Sequence, residues 1–169
     1  LLLSWAQRQV DCGADAIWFD MLFGTVNILR RLLSRLGYSE EQIFRHPAVR
    51  ESYEATLKVI DAIHEYGYKK RGKRIYLGTW WVPAQMPYKA PDLDWVQISP
   101  TGREIRSLKL DEKAWDEKLR LIRKKFGDDI LVVVYISWAH TTKSPLGHFS
   151  QHLEPEQQRQ FIRLIDRFC

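Results

Sequence analysis

The run Asp129-Ile130-Leu131-Val132-Val133-Val134-Tyr135-Ile136-Ser137-Trp138 constrains this chain more than any other stretch. It is far short of the roughly 20 apolar residues that a membrane-spanning helix needs, and its β-branched residues favour a strand. The apolar residues are continuous rather than alternating. That pattern predicts a strand covered on both faces, as in a parallel sheet with helices outside it. A chain built on such a strand must supply helices between its strands.

The rest of the sequence does so. Gly13 opens a second apolar run, Ala14-Asp15-Ala16-Ile17-Trp18-Phe19, which ends on a lone carboxylate, Asp20. Ahead of it, Leu1, Leu2, Trp5, Ala6 and Val10 share one helical stripe. Behind it, in the long connection from Met21 to Ala48, Val26, Ile28, Leu29, Leu32, Leu33 and Leu36 predict a helix ended by Gly37. Ser39-Glu40-Glu41-Gln42 reads as the cap of another helix. Pro47 opens a long helix expected to reach Tyr66 and stop at Gly67, with His64 at the edge of its packing face. Arg74 to Trp81 and Leu93 to Pro100 are the next two strands. Between them Pro83, Pro87 and Pro91 leave little room for a crossover helix. Asp111-Glu112 starts a helix with Trp115, Leu119, Ile122 and Phe126 on its buried stripe and Gly127 as its stop. After the 129–138 strand, Ala139 to His152 reads as a polar loop, and Glu154-Pro155-Glu156 opens a final helix.

Loops after strands are long and turns back into strands are short. This predicts an α/β fold with a parallel sheet of the (β/α)8 TIM-barrel type, in which about four β/α units form a single domain over residues 1–169. A chain that opens on leucine within a helical pattern, and closes on Cys169 with one still running, is expected to be an incomplete barrel. At 45% hydrophobic and 28% charged residues, it can bury a domain-sized core.

The formal charge of +5 is mild and comes with no base-stacking motif, so no nucleic-acid partner is expected, and no run is long enough for a membrane span. Lys69-Lys70-Arg71-Gly72-Lys73-Arg74 is expected to be a solvated turn remote from the strand carboxyl ends. The chain has no G-x-G-x-x-G, P-loop or G-x-S-x-G, and it calls for no cofactor. Cys12 and Cys169 form no ligand motif and are expected to be buried thiols.

In parallel α/β folds, chemistry collects at the carboxyl ends of the strands. Those ends gather Trp18, Asp20, Thr79, Trp80, Trp81, Gln97, Ser99, Tyr135, Ser137, Trp138 and His140. Sugars present apolar C–H faces and a rim of hydroxyls, and aromatic, amide and hydroxyl side chains answer both. Carried by Gly13-Ala14-Asp15-Ala16-Ile17-Trp18-Phe19-Asp20, Thr79-Trp80-Trp81 and Tyr135-Ile136-Ser137-Trp138, the pattern resembles the TIM-barrel glycoside hydrolases. That resemblance implies a carbohydrate substrate and a catalytic carboxylate at a strand end, the position Asp20 occupies. Trp80, Trp81 and Trp138, with Trp18, would be sugar platforms. Gln97, Tyr135 and His140, with Thr79, Ser99 and Ser137, would meet hydroxyls.

Glycosidic cleavage needs a second carboxyl, about 5–5.5 Å away for retention or about 6.5–9.5 Å for inversion. Glu104 is the nearby candidate, because Asp92 and Asp94 precede the third strand and belong at its other end; otherwise the partner is expected in a missing half of the barrel. Two alternatives stand beside hydrolysis. One is a non-catalytic carbohydrate-binding barrel. The other is a metal-dependent enzyme using Asp20 with His140, His148 and His152, although Pro145-Leu146-Gly147 reads as loop and shared i, i+4 ligation needs a helix.

Overall fold

The structure is a computed structural model that describes residues 1–137 and 141–168. Strands β1 (Ala16–Phe19), β2 (Tyr76–Trp80), β3 (Trp95–Ile98) and β4 (Leu131–Val134) lie side by side in chain order. Each is parallel to the next, with Ala16 opposite Tyr76, Gly78 opposite Trp95 and Trp95 opposite Leu131. The strand order never reverses, so right-handed crossovers deliver their helices to a single face of the sheet. Burial follows that rule. Ile17, Phe19, Leu77, Thr79, Val96 and Ile98 are buried beneath helices. The alternate positions Trp18, Trp80, Trp95 and Gln97 are half-buried, and Tyr76, Leu131 and Val133 are exposed.

This corrects the expectation drawn from the continuous apolar run. β4 is covered on one face only, with Leu131 65% and Val133 40% exposed. Sequence composition records what a strand can tolerate on each side, whereas the sense of winding decides which side receives helices.

Helix α1 (Leu2–Asp11) packs on α4 (Pro47–Arg71) and sets the Trp5 ring 5.8 Å from Phe19 of β1. α2 (Gly24–Arg35) and α3 (Glu40–Arg45) form the excursion after β1, and Ser39 and Gln42 complete a capping box at α3. α4 does not stop at Gly67 as its sequence suggested; it runs to Arg71 and ends at Gly72, whose φ is 68°. A Cβ on Gly67 would lie 2.3 Å from Ile75 Cγ1. Gly67 is therefore an interior contact where helix and incoming strand meet, while Gly72 supplies the left-handed turn that ends the helix.

Between β2 and β3 a 3-10 turn, Val82–Gln85, replaces the crossover helix, as the prolines require. α6 (Glu112–Phe126) covers that gap, and Lys125 Nζ donates to the carbonyls of Met86 and Tyr88. α5 (Gly102–Ser107) follows β3, and α7 (Pro145–His152) and α8 (Pro155–Phe168) follow β4. Pro145 opens a helix rather than a loop: it stands in the first turn, and Ser144 accepts from Gly147 N. Cys12, expected to be buried, is exposed, and Cys169 lies outside the described residues.

The basic run sits at the amino ends of the strands, as expected, but it is paired. Lys70 lies 3.6 Å from Asp11, and Lys73 2.8 Å from Asp15. Arg74 spans Asp92 and Asp94 at 2.8 Å each. The Arg74 guanidinium holds the Asp92 carboxyl below its ordinary range. Asp94 also accepts from Leu77 N, which ties the entries of β2 and β3 together. His64 is buried on α4 with Nε2 3.0 Å from the Asp92 carbonyl, a packing role. Among the described residues, no helix is long and apolar enough to cross a membrane.

Candidate functional site

Because side chains alternate along a strand, one residue in two at the carboxyl ends faces the open side of the sheet. These are Trp18 on β1, Trp80 on β2, Gln97 on β3 and Tyr135 just beyond β4. The three rings touch one another: Trp18 and Trp80 have centroids 5.9 Å apart at 71°, and Tyr135 lies 6.2 Å from Trp18 and 6.1 Å from Trp80. Asp20, half-buried one residue past β1, accepts a 2.7 Å hydrogen bond from Trp80 Nε1 on one carboxylate oxygen. The indole edge is thereby fixed, and among the described residues the second oxygen makes no hydrogen bond.

Below this group, Gly78 stands between Trp18 and Trp95 in the register. A Cβ on Gly78 would come within 1.9 Å of the Trp95 indole, which therefore lies across β2 at that point. Trp95 extends the aromatic surface and was not singled out from the sequence. The available signal was Gly78 itself, since an isolated glycine inside a strand marks the close approach of another group. Trp18 Nε1 and Gln97 Oε1, both on this face, are buried and have no hydrogen-bond partner among the described residues.

The other expected residues are placed differently. Thr79 faces the helices, 2% exposed, and its hydroxyl donates to the Phe19 carbonyl at 2.7 Å, a tie between β1 and β2. Trp81 also turns to the helix side, where Lys118 Nζ lies 5.5 Å from its ring and 5.2 Å from Trp115. Burial between those rings pushes the Lys118 pKa down. Ser99 Oγ accepts from Ser137 N at 3.2 Å and donates to the Pro100 carbonyl, so this pair joins the chain beyond β3 to the chain beyond β4. Trp138 and His140 lie outside the described residues.

Glu104 makes its hydrogen bonds at the junction of α5 and α6. It is 7% exposed, and its carboxylate accepts four hydrogen bonds: from Thr101 N (2.7 Å), Thr101 Oγ1 (2.8 Å), Asp111 N (2.9 Å) and Trp115 Nε1 (2.7 Å). Burial alone would raise its pKa. The hydrogen bonds from Thr101, Asp111 and Trp115 outweigh that effect and hold the group below the usual carboxylate range. It caps α5 and braces α6 with both oxygens, leaving no free edge for a substrate. A cavity of about 600 Å³ beside it, lined by Lys118 and Trp115, is a feature of the α5–α6 junction and not of the aromatic face.

His148 and His152 do share a helix, with rings 5.3 Å apart. However, Arg106 Nη1 stands 2.5 Å from His148 Nε2, so a guanidinium occupies the place a metal would take. Among the described residues, no group of three His, Cys, Asp or Glu side chains could hold a metal ion. No family model matches the chain, and neither a curated protein nor a solved structure matches it.

Proposed function

We propose that this chain is a carbohydrate-active α/β protein of the (β/α)8 barrel type, which binds its ligand on the open face at the carboxyl ends of β1, β2 and β4. The observation that supports this is the contact group Trp18, Trp80 and Tyr135 with Asp20 hydrogen-bonded at its rim. Ring faces suit sugar C–H surfaces, and the Trp18 Nε1 donor and Gln97 Oε1 acceptor, without partners among the described residues, suit hydroxyls. Asp20 is the carboxylate that would act on a glycosidic bond held there. A second reading, binding without cleavage, is favoured by one observation: Glu104 spends its lone pairs on structure.

The test is titration of tryptophan fluorescence with a panel of glycans, together with an assay of newly formed reducing ends, for wild type and for Asp20→Asn. Quenching with hydrolysis lost in Asp20→Asn supports a glycosidase. Quenching without hydrolysis supports a binding protein. No glycan-dependent quenching sinks both.

A further inference from the structure

On the helix side of the sheet, Lys118 carries a charge without a counter-ion. Its Nζ lies 5.5 Å from the Trp81 ring and 5.2 Å from the Trp115 ring. Among the described residues, no carboxylate oxygen stands within 4.0 Å of it. The side chain is half-buried, and an ammonium withdrawn from water is ordinarily paired. Burial pushes its pKa down, and the Glu104 charge offsets only part of that effect. Glu104 is committed elsewhere, since both of its oxygens accept hydrogen bonds from Thr101, Asp111 and Trp115.

Lys118 opens onto the cavity of about 600 Å³ at the α5–α6 junction, a volume in the range of small-molecule sites. Leu110, Ala114 and Trp115 give it apolar walls, and the exposed Arg103 and Lys109 add two further cations. The carboxylates on its lining are Glu104 and Asp111, and Asp111 caps α6 by accepting from Ala114 N. Every lining residue belongs to residues 101–118, so the cavity is formed within one continuous stretch. We infer that this cavity binds a small organic anion, its charged head against Lys118 and its apolar body on Leu110, Ala114 and Trp115. A neutral ligand would leave the ammonium without a counter-charge, and a cation would meet three like charges. An anion supplies the missing charge in a partly desolvated site, where a charge-assisted hydrogen bond is worth most. The inference goes beyond the carbohydrate reading and uses none of the side chains proposed to hold that ligand.

Titration of the full chain with three indoles that differ in charge tests it, read from the indole N–H signals of Trp81 and Trp115 in a proton–nitrogen correlation spectrum. Indole-3-acetate should shift both signals saturably with a Kd of ~1 mM or tighter, as ordinary ligand efficiency gives for a molecule of its size. Neutral tryptophol should bind at least ~10-fold more weakly, and cationic tryptamine more weakly still. Lys118→Met keeps an unbranched stem between the two rings and should lower the affinity for indole-3-acetate more than ~10-fold, with far-UV circular dichroism unchanged. Lys118→Arg keeps the charge and should stay within ~3-fold of wild type, which a purely packing role for Lys118 would not produce. Lys118→Gln is the second variant and should act as Lys118→Met does if that one fails to fold. No shift at ~10 mM indole-3-acetate, equal affinity for tryptophol, or wild-type affinity in the neutral variants overturns the inference. Acetate bound as tightly as indole-3-acetate also overturns it, because the apolar walls then contribute nothing.

Discussion

Replacing Glu104 with alanine is expected to destabilise the fold, not merely to silence a reaction. The carboxylate accepts from four donors, and their fates differ. Thr101 is exposed and can turn its N–H and hydroxyl to water, so losing the cap costs about 1 kcal/mol. Trp115 is 1% exposed, and its Nε1 would be left buried without an acceptor, at about 1–3 kcal/mol. With the Asp111 N bond adding about 1 kcal/mol, the total is about 3–5 kcal/mol. For a domain of this size that lowers Tm by roughly 6–20 °C. Glu104→Gln keeps one carbonyl oxygen for Trp115 and Asp111 but turns an NH2 toward the Thr101 N–H, and should cost about 1–2 kcal/mol. Urea unfolding at constant m-value reads both differences. The pH profile adds a sign. A carboxyl held below its ordinary value of 4.5 contributes fully above that pH and loses its contribution as pH falls through the lowered folded value. Wild type should therefore lose more stability with acid than Glu104→Gln, whose remaining acid limb comes from other lowered carboxyls such as Asp92. A Glu104→Ala midpoint equal to wild type would refute the capping argument and return Glu104 to the candidate catalytic groups.

Gly67→Ala gains about 1 kcal/mol of helix propensity but drives a methyl into Ile75, for a net loss of about 1–2 kcal/mol in urea unfolding that Ile75→Val should partly restore. Gly78→Ala must displace the Trp95 indole, and is expected to change the near-UV circular dichroism while far-UV helix content is retained. Burial, then Arg106 and His152, hold the His148 pKa below 6.5, so its packing contribution is present above that pH and lost as pH falls beneath it. The protection of α7 amides relative to their intrinsic exchange rate should fall over that acid range in wild type, and His148→Gln should flatten the dependence.

Much of this fold can be read in the sequence, because its signals are local. The stripe on α1, the Ser39 cap, the Asp111 cap and the proline-rich gap before β3 each rest on a few adjacent residues. The departures arise where a residue's meaning depends on something distant. Gly67 and Gly72 look alike in the chain, and only the approach of Ile75 separates a contact glycine from a terminating one. The coverage of β4 depends on strand order, which no run of valines encodes. Two placements follow from local rules. Thr101-Gly102-Arg103-Glu104 has the spacing of a capping box, which argues for a structural Glu104. Strand alternation alone sends Trp80 and Trp81 to opposite faces. At the site, Asp20 and the Trp18, Trp80 and Tyr135 group follow from strand-end position. The gathering of rings from three strands is a tertiary fact.

The missing helix between β2 and β3 also bears on the order in which the sheet assembles. Leu77 and Asp94, hydrogen-bonded across that pair, are 17 residues apart, whereas Thr79 and Phe19, joined across β1 and β2, are 60 apart. Closing the shorter loop is cheaper by about 1 kcal/mol in chain entropy. The middle of the sheet is thus the natural nucleus, with β1 and β4 condensing onto it later. Φ-values should be highest around Leu77 and Val96 and fall toward β1 and β4, so these two strands are also the last to consolidate.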